Sequence, residues 1–198
     1  PEDTLILGKQ CAPTVIDAYG ESIESKIVIA DELKLPDTWT LRVPGQHNRY
    51  DAALALATAR ALSVDDAVSR AALESFSGVP GRLELIAERR GVKVYNDTTA
   101  TTPEATLAAL AALDPARTVL IMGGADKGLD MRALLAKLPE VKKSSLLAGT
   151  GTDRIKNEIE EGMIYHTFSD AVKAAVDVAE SGDTILFSPA FASFGMFK

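Results

Sequence analysis

The chain has 198 residues, 46% of them hydrophobic, enough to bury one large core or two small ones. Its 28 acidic and 21 basic side chains leave a net charge of −7, which argues against a general nucleic-acid or acidic-membrane surface but not against a small anion held by a few placed cations. One cysteine (Cys11) excludes an intrachain disulfide and fits a reducing compartment, His47 and His166 give no zinc spacing, and no apolar run has transmembrane length.

The chain opens on a proline, and "TLILG" (4–8) reads as a strand almost at once. With an equally abrupt end at "GMFK", it reads as a piece of a longer protein. "KIVIA" (26–30) and "TWTLRV" (38–43) are the next predicted strands, rich in β-branched and apolar residues. "PGQHN" breaks the pattern just before a helix dense in alanine and leucine, "RYDAALALATARAL". A second helix follows in "SVDDAVSRAALESF", with Ser63 as its N-cap and Asp65 and Asp66 in its first turn. "SGVPGR" (77–82) carries two glycines and a proline and reads as a boundary, giving units 1–79 and 80–198.

Beyond it the rhythm is strict. "LELIAE" and "VKVYN" flank "RRG" as a hairpin. Strands "VKVYN", "TVLIMGG", "SSLLAG" and "IYHTF" each lead to a helix, and "TILFSP" closes the series. Alternating strands and helices predict an α/β fold, an open, mostly parallel sheet with helices on both faces. Ligands of such sheets sit beyond the carboxyl ends of the strands, here the loops at Asp97, Gly123 and Ser188.

Several stretches there could carry chemistry, and each also has a plain structural reading. In "NDTTATTPEAT" (96–106) Thr102 suits a helix N-cap and Pro103 the first helical position. The helix start offers an anion site, and Asp97 a carboxylate for ribose hydroxyls; ordinary capping explains the same residues. "MGGADKG" (122–128) lets backbone approach a ligand and presents Lys127, or is a turn with a solvated lysine. Ser188 and Ser193 in "LFSPAFASF" offer hydroxyls, or a small-residue turn. Asn48 can both donate to and accept from a base edge. Arg82 is a phosphate clamp or a surface residue at a hinge. His166, in a predicted strand, and Cys11 carry only structural readings.

Taken in order, "GQHNRYDAALA", "F-x-G-V-P-G-R-L-E", "NDTTATTPEAT", "GGADKG" and "SPAFASFGMFK" resemble the Mur ligase family over nearly the whole chain. These are cytoplasmic ATP-dependent amide ligases of peptidoglycan precursor synthesis. The resemblance is greatest to the branch that adds D-glutamate to UDP-MurNAc-L-alanine. It implies that residues 1–79 are the back of a P-loop-type central ATPase domain and 80–198 a Rossmann-like amino-acid domain. The chain has no G-x-x-x-x-G-K-[ST]. The P-loop, the UDP-sugar domain and the family's carbamylated lysine would precede Pro1, and the piece alone would be inactive.

By the same resemblance, ATP and Mg2+ are the cofactors and a monomer is expected. Asn48 and Asp51 fall at the adenine-contacting positions, Asp51 where a second asparagine is common. Arg82 falls at the position that reaches ATP phosphates, and Asp97 at the one that holds the ribose. Thr101, Lys127, Ser193 and Phe194 fall at the positions that bind D-glutamate. The D-N-P-R motif of the branches taking diaminopimelate or lysine is absent. Three positions depart from the family: Thr99 for a lysine, Gly81 for a histidine and Gly195 for an aspartate. They keep two alternatives open, a folylpolyglutamate-type or other ligase with a different acceptor, and a non-catalytic binding module of the same fold.

Overall fold

The structure, a computed structural model, describes residues 3–31, 35–159 and 162–193. Its contacts divide the chain into Pro1–Ser77 and Gly78–Lys198.

In the first unit β1 (Thr4–Gly8) and β2 (Lys26–Ala30) pair in parallel, Thr4 opposite Lys26 and Gly8 opposite Ala30. α1 (Ala12–Tyr19) connects them. α2 (Gln46–Ala61) and α3 (Asp66–Ser75) follow. Leu35 and Trp39 pack against Ala52, Ala53 and Leu56 of α2, with Leu73 of α3 alongside.

Three expectations are corrected here. "TWTLRV" is not a strand: side chains, not a neighbouring strand, satisfy its surroundings. Arg49 donates to the carbonyls of Leu35 and Trp39 at 3.3 Å, and Glu74 accepts from the Thr40 N–H at 3.1 Å. Proline at positions 36 and 44 brackets the segment, and Trp39 anchors it in the core. α2 begins at Gln46, so His47 and Asn48 lie in its first turn. The N-cap of α3 is Asp65, which accepts from the Ala67 N–H at 2.7 Å; Ser63 turns the chain at φ 58° and caps nothing.

The second unit is one six-stranded sheet in the order β3-β4-β8-β5-β6-β7. β3 (Glu84–Arg89) and β4 (Val92–Asn96) form the antiparallel hairpin, and the other neighbouring pairs in that order are parallel. α4 (Pro103–Ala112), β5 (Thr118–Gly123), α5 (Arg132–Lys137), β6 (Lys143–Leu147), α6 (Thr150–Ile155), β7 (Met163–Tyr165), α7 (Phe168–Val178) and β8 (Thr184–Phe187) complete it. β7 is short and ends before His166, which sits in the bend ahead of α7 rather than in a strand.

β5 is buried along its whole length, as a central parallel strand must be. Its period of two divides the core. Leu120 and Met122 pack with Leu110 of α4, Leu134 of α5 and Ile155 of α6. Val119 and Ile121 pack with Ala171 and Ala175 of α7. Each buried leucine or isoleucine stabilises by roughly 2 kcal/mol over its exposed state.

At the other end of β8 the buried Asp183 carboxylate meets Lys142 and, at 3.2 Å, Arg117, and accepts from the Glu180 N–H at 2.8 Å. The hydrogen bond from Lys142 is the chief cause that holds its carboxyl below the usual range, followed by that from Glu180. A depressed folded pKa stabilises fully above the ordinary carboxylate pKa and is lost as pH falls through the folded value. Asp183→Asn is therefore expected to lower the thermal midpoint at neutral pH. It also flattens the loss of stability below about pH 4, measured by thermal denaturation across a pH series.

Candidate functional site

The joint after β4 is built around Asp97. Its Oδ1 accepts from the Leu83 N–H at 2.9 Å and its Oδ2 from the Ser188 hydroxyl at 2.8 Å. Ser188 Oγ lies 2.9 Å from Thr106 Oγ1, and all three side chains are buried. A hydroxyl carries one proton, so with Ser188 donating to the carboxylate, Thr106 supplies the proton between the two hydroxyls. Main-chain bonds close the joint: Asp97 N–H to Phe187 O at 2.8 Å and Ala190 N–H to Ala100 O at 2.9 Å. Ala190 holds φ 62°, an unusual value for a residue with a Cβ.

Thr102 caps α4 by accepting from the Ala105 N–H at 3.4 Å, with Pro103 in the first helical position. Thr101 therefore stands just ahead of a helix N-terminus. The Lys127 ammonium donates to its hydroxyl at 3.2 Å, so two residues 26 apart in sequence meet.

The loop that carries Lys127 is tied down on both sides. The Asp126 N–H donates to Thr150 Oγ1 at 2.9 Å, and Asp126 Oδ1 accepts from the Gly128 N–H at 3.0 Å. Arg154 of α6 pairs with the Asp126 carboxylate at 3.0 Å and donates to Leu129 O. Ala125 and Ala192 exchange both main-chain hydrogen bonds, which brings Ser193, exposed, to the edge of the same loop. Gly124 makes this possible. At φ 152° it lies where a Cβ would stand 2.4 Å from Ala192 O. The close approach it permits is to the chain's own backbone. Asp130 is held ionised at about 2, chiefly by Arg132, whose side chain and N–H both donate to it.

Arg82 is exposed, and its guanidinium makes no hydrogen bond or ion pair among the described residues. Asn48 and Asp51 lie one turn apart on α2 in the first unit; the Asn48 amide donates to Pro44 O at 2.6 Å, and Asp51 is exposed. Phe194 and Gly195 lie outside the described residues.

Sequence reasoning missed Thr106 and Arg154. Thr106 reads in the sequence as one more residue of an Ala/Leu helix; its burial and its bond to Ser188, 82 residues away, come from the fold. Arg154 left no local hint, because Asp126 is 28 residues away.

Open α/β sheets hold their ligands beyond the carboxyl ends of their strands, and here that edge presents a cation, Lys127, and the hydroxyls of Thr101 and Ser193. The chain belongs to the Mur ligase family: residues 81–191 match the Mur ligase, glutamate ligase domain. It is 35% identical over 179 residues to a UDP-N-acetylmuramoylalanine–D-glutamate ligase of Aquifex aeolicus, covering 89% of this chain and 43% of that protein. It is 40% identical over 158 residues to the like-named ligase of Chlorobium limicola, covering 78% and 34%. The chain thus spans less than half the length of these relatives.

Among solved structures, MurF from Acinetobacter baumannii superposes with a TM-score of 0.72 at 17% identity, over 96% of this chain and 49% of that one. MurF from Thermotoga maritima in complex with ADP gives 0.72 at 18%, over 94% and 50%. A folylpolyglutamate synthase/dihydrofolate synthase from Yersinia pestis gives 0.67 at 18%, over 90% and 48%. At these identities the likeness is one of fold.

Ser188→Ala would leave Asp97 Oδ2 without its buried hydroxyl donor. It is expected to cost about 1–3 kcal/mol, read as a lower urea midpoint with an unchanged slope.

Proposed function

We propose that this chain is part of a cytoplasmic, monomeric, ATP-dependent amide ligase that joins D-glutamate to UDP-MurNAc-L-alanine in peptidoglycan precursor synthesis. Residues 1–79 belong to its central ATP-binding domain, a P-loop fold, and residues 80–198 to its amino-acid domain. The observation that carries the reading is the meeting of Lys127 with Thr101 just ahead of α4. A carboxylate placed there receives a charge-assisted bond from the ammonium, a hydroxyl bond from Thr101 and the positive end of the helix. Ser193 at the loop edge, with Phe194 after it, serves the second carboxylate of a glutamate.

The reaction runs in two steps. ATP phosphorylates the carboxylate of UDP-MurNAc-L-alanine, releasing ADP. The glutamate amine, as free base, then attacks the acyl phosphate carbon; a tetrahedral intermediate forms and collapses with loss of phosphate and a proton. Arg82 offsets phosphate charge, Asp97 takes the ribose, and Asn48 with Asp51 meets the adenine. Lys127 and Thr101 hold the amino acid so that its amine alone is mobile. Among the described residues no group of three or more His, Cys, Asp or Glu could hold a metal ion, and the Mg2+ implied by the family resemblance would be carried largely by the ATP phosphates.

A second reading, a folylpolyglutamate-type ligase, rests on the likeness of fold to the Yersinia pestis enzyme. Both use a glutamate, and the carboxylate site does not separate them. Phosphate release by the full-length protein does: UDP-MurNAc-L-alanine with D-glutamate, L-glutamate or D-aspartate, against a folate with L-glutamate. Turnover only with D-glutamate supports the proposal, and turnover only with folate replaces it. Lys127→Ala is expected to raise the amino-acid KM about tenfold or more, the loss of a charged hydrogen bond. Unchanged amino-acid binding in that variant would point to a non-catalytic module instead.

A further inference from the structure

Arg82 projects from a turn whose two flanking peptides are both pinned to the joint after β4. On one side Gly81 O accepts twice from Thr99, from its hydroxyl at 2.7 Å and its N–H at 3.0 Å. On the other side the Leu83 N–H donates to Asp97 Oδ1 at 2.9 Å. Two more bonds stiffen the turn: Gly81 N–H to Glu84 Oε2 at 2.8 Å and Arg82 N–H to Val79 O at 3.1 Å. Asn96 donates to the same Glu84 oxygen at 3.2 Å. Leu83 is buried at φ 43°, a conformation that persists only where its surroundings enforce it.

Gly81 and Thr99 also fit each other sterically. Gly81 stands at φ 74°, and a Cβ there would come within 2.9 Å of the Thr98 methyl and 3.3 Å of the Thr99 methyl. A side chain at residue 81 would push the threonines off the turn. A lysine at residue 99 would lose the hydroxyl that closes it. The two departures from the family pattern near Arg82 are thus one structural unit, a neutral clamp.

We propose that Thr99 is a positioning residue for Arg82: its hydroxyl fixes the turn from which the guanidinium is presented to an anionic phosphate group. This rests on the ligase reading, which supplies the ATP phosphate as the partner of Arg82; the hydrogen bonds of the turn stand apart from it.

The test is a double-mutant cycle in the full-length enzyme, reading kcat/KM for ATP by phosphate release with the amino acid that the wild type uses. Thr99→Val, which keeps the shape and removes the hydroxyl, is expected to lower it about fivefold, the size of one lost neutral hydrogen bond. The amino-acid KM stays within about twofold, and Thr99→Ser retains wild-type values. In an Arg82→Ala background Thr99→Val costs nothing further. An equal loss in both backgrounds overturns the proposal, as does a Ser variant as impaired as Val. Amide hydrogen exchange gives a readout that needs no turnover. Faster exchange at Leu83 in Thr99→Val supports the clamp, and unchanged exchange overturns it. A wild type that turns over with no acceptor defeats the ligase reading and leaves the exchange result to decide the clamp.

Discussion

A carboxylate removed from water is destabilising unless its oxygens find donors, and the donors that Asp97 finds set the layout of the second unit. The Leu83 N–H comes from just before β3, fourteen residues earlier; the Ser188 hydroxyl comes from just after β8, ninety-one residues later. Thr106 of α4 extends the chain of bonds through Ser188. One buried acid therefore ties together β3, β4 and β8, and it does so at the carboxyl edge of the sheet. β4 and β8 are already neighbours in the sheet, so the network adds register and orientation to loops that the strand ladders alone would leave loose.

The remaining loops are held by backbone in tight contact. Gly124 accepts the Gly151 N–H on its carbonyl at 2.9 Å and leaves no room for a side chain beside Ala192. The Lys127 loop is thus seated between α6 and the chain after β8 before any ligand arrives. A cation placed on such a loop loses little conformational freedom on binding, which favours its use for orienting a small molecule.

The alternation of strands and helices after residue 83 was legible in the sequence because burial on both sheet faces writes continuous apolar runs such as "TVLIM". "TWTLRV" carries the same kind of residues and is not a strand, because Arg49 and Glu74, ten and thirty-four residues away from the groups they bind, take up those groups. Ser63 has the composition of an N-cap, but Asp65 stands nearer the helix and holds its N–H. At the site, Thr101 and Lys127 were each readable, as a residue ahead of a capped helix and as a cation in a glycine loop. Their contact was not, since it depends on the adjacency of two crossover loops. Asp97 showed as an acid at a strand end; the depth of its burial belongs to Ser188 and Thr106, and no spacing announces them.

The charge of the loop edge follows a division that the sequence total of −7 conceals. Arg154 is matched by Asp126 and Arg132 by Asp130, so both guanidinium groups are largely spoken for by neighbouring carboxylates. Lys127 meets a hydroxyl instead. A hydroxyl accepts a hydrogen bond without cancelling charge, so the ammonium keeps its attraction for an incoming anion. The two arginine–aspartate pairs surround it with near-neutral, hydrogen-bonded structure that does not compete for the same anion. An acidic chain repels anions at long range, so an anion held at this edge would have to be drawn by a few contacts at short range. Lys127 beside Thr101 supplies the uncancelled charge that such contacts require.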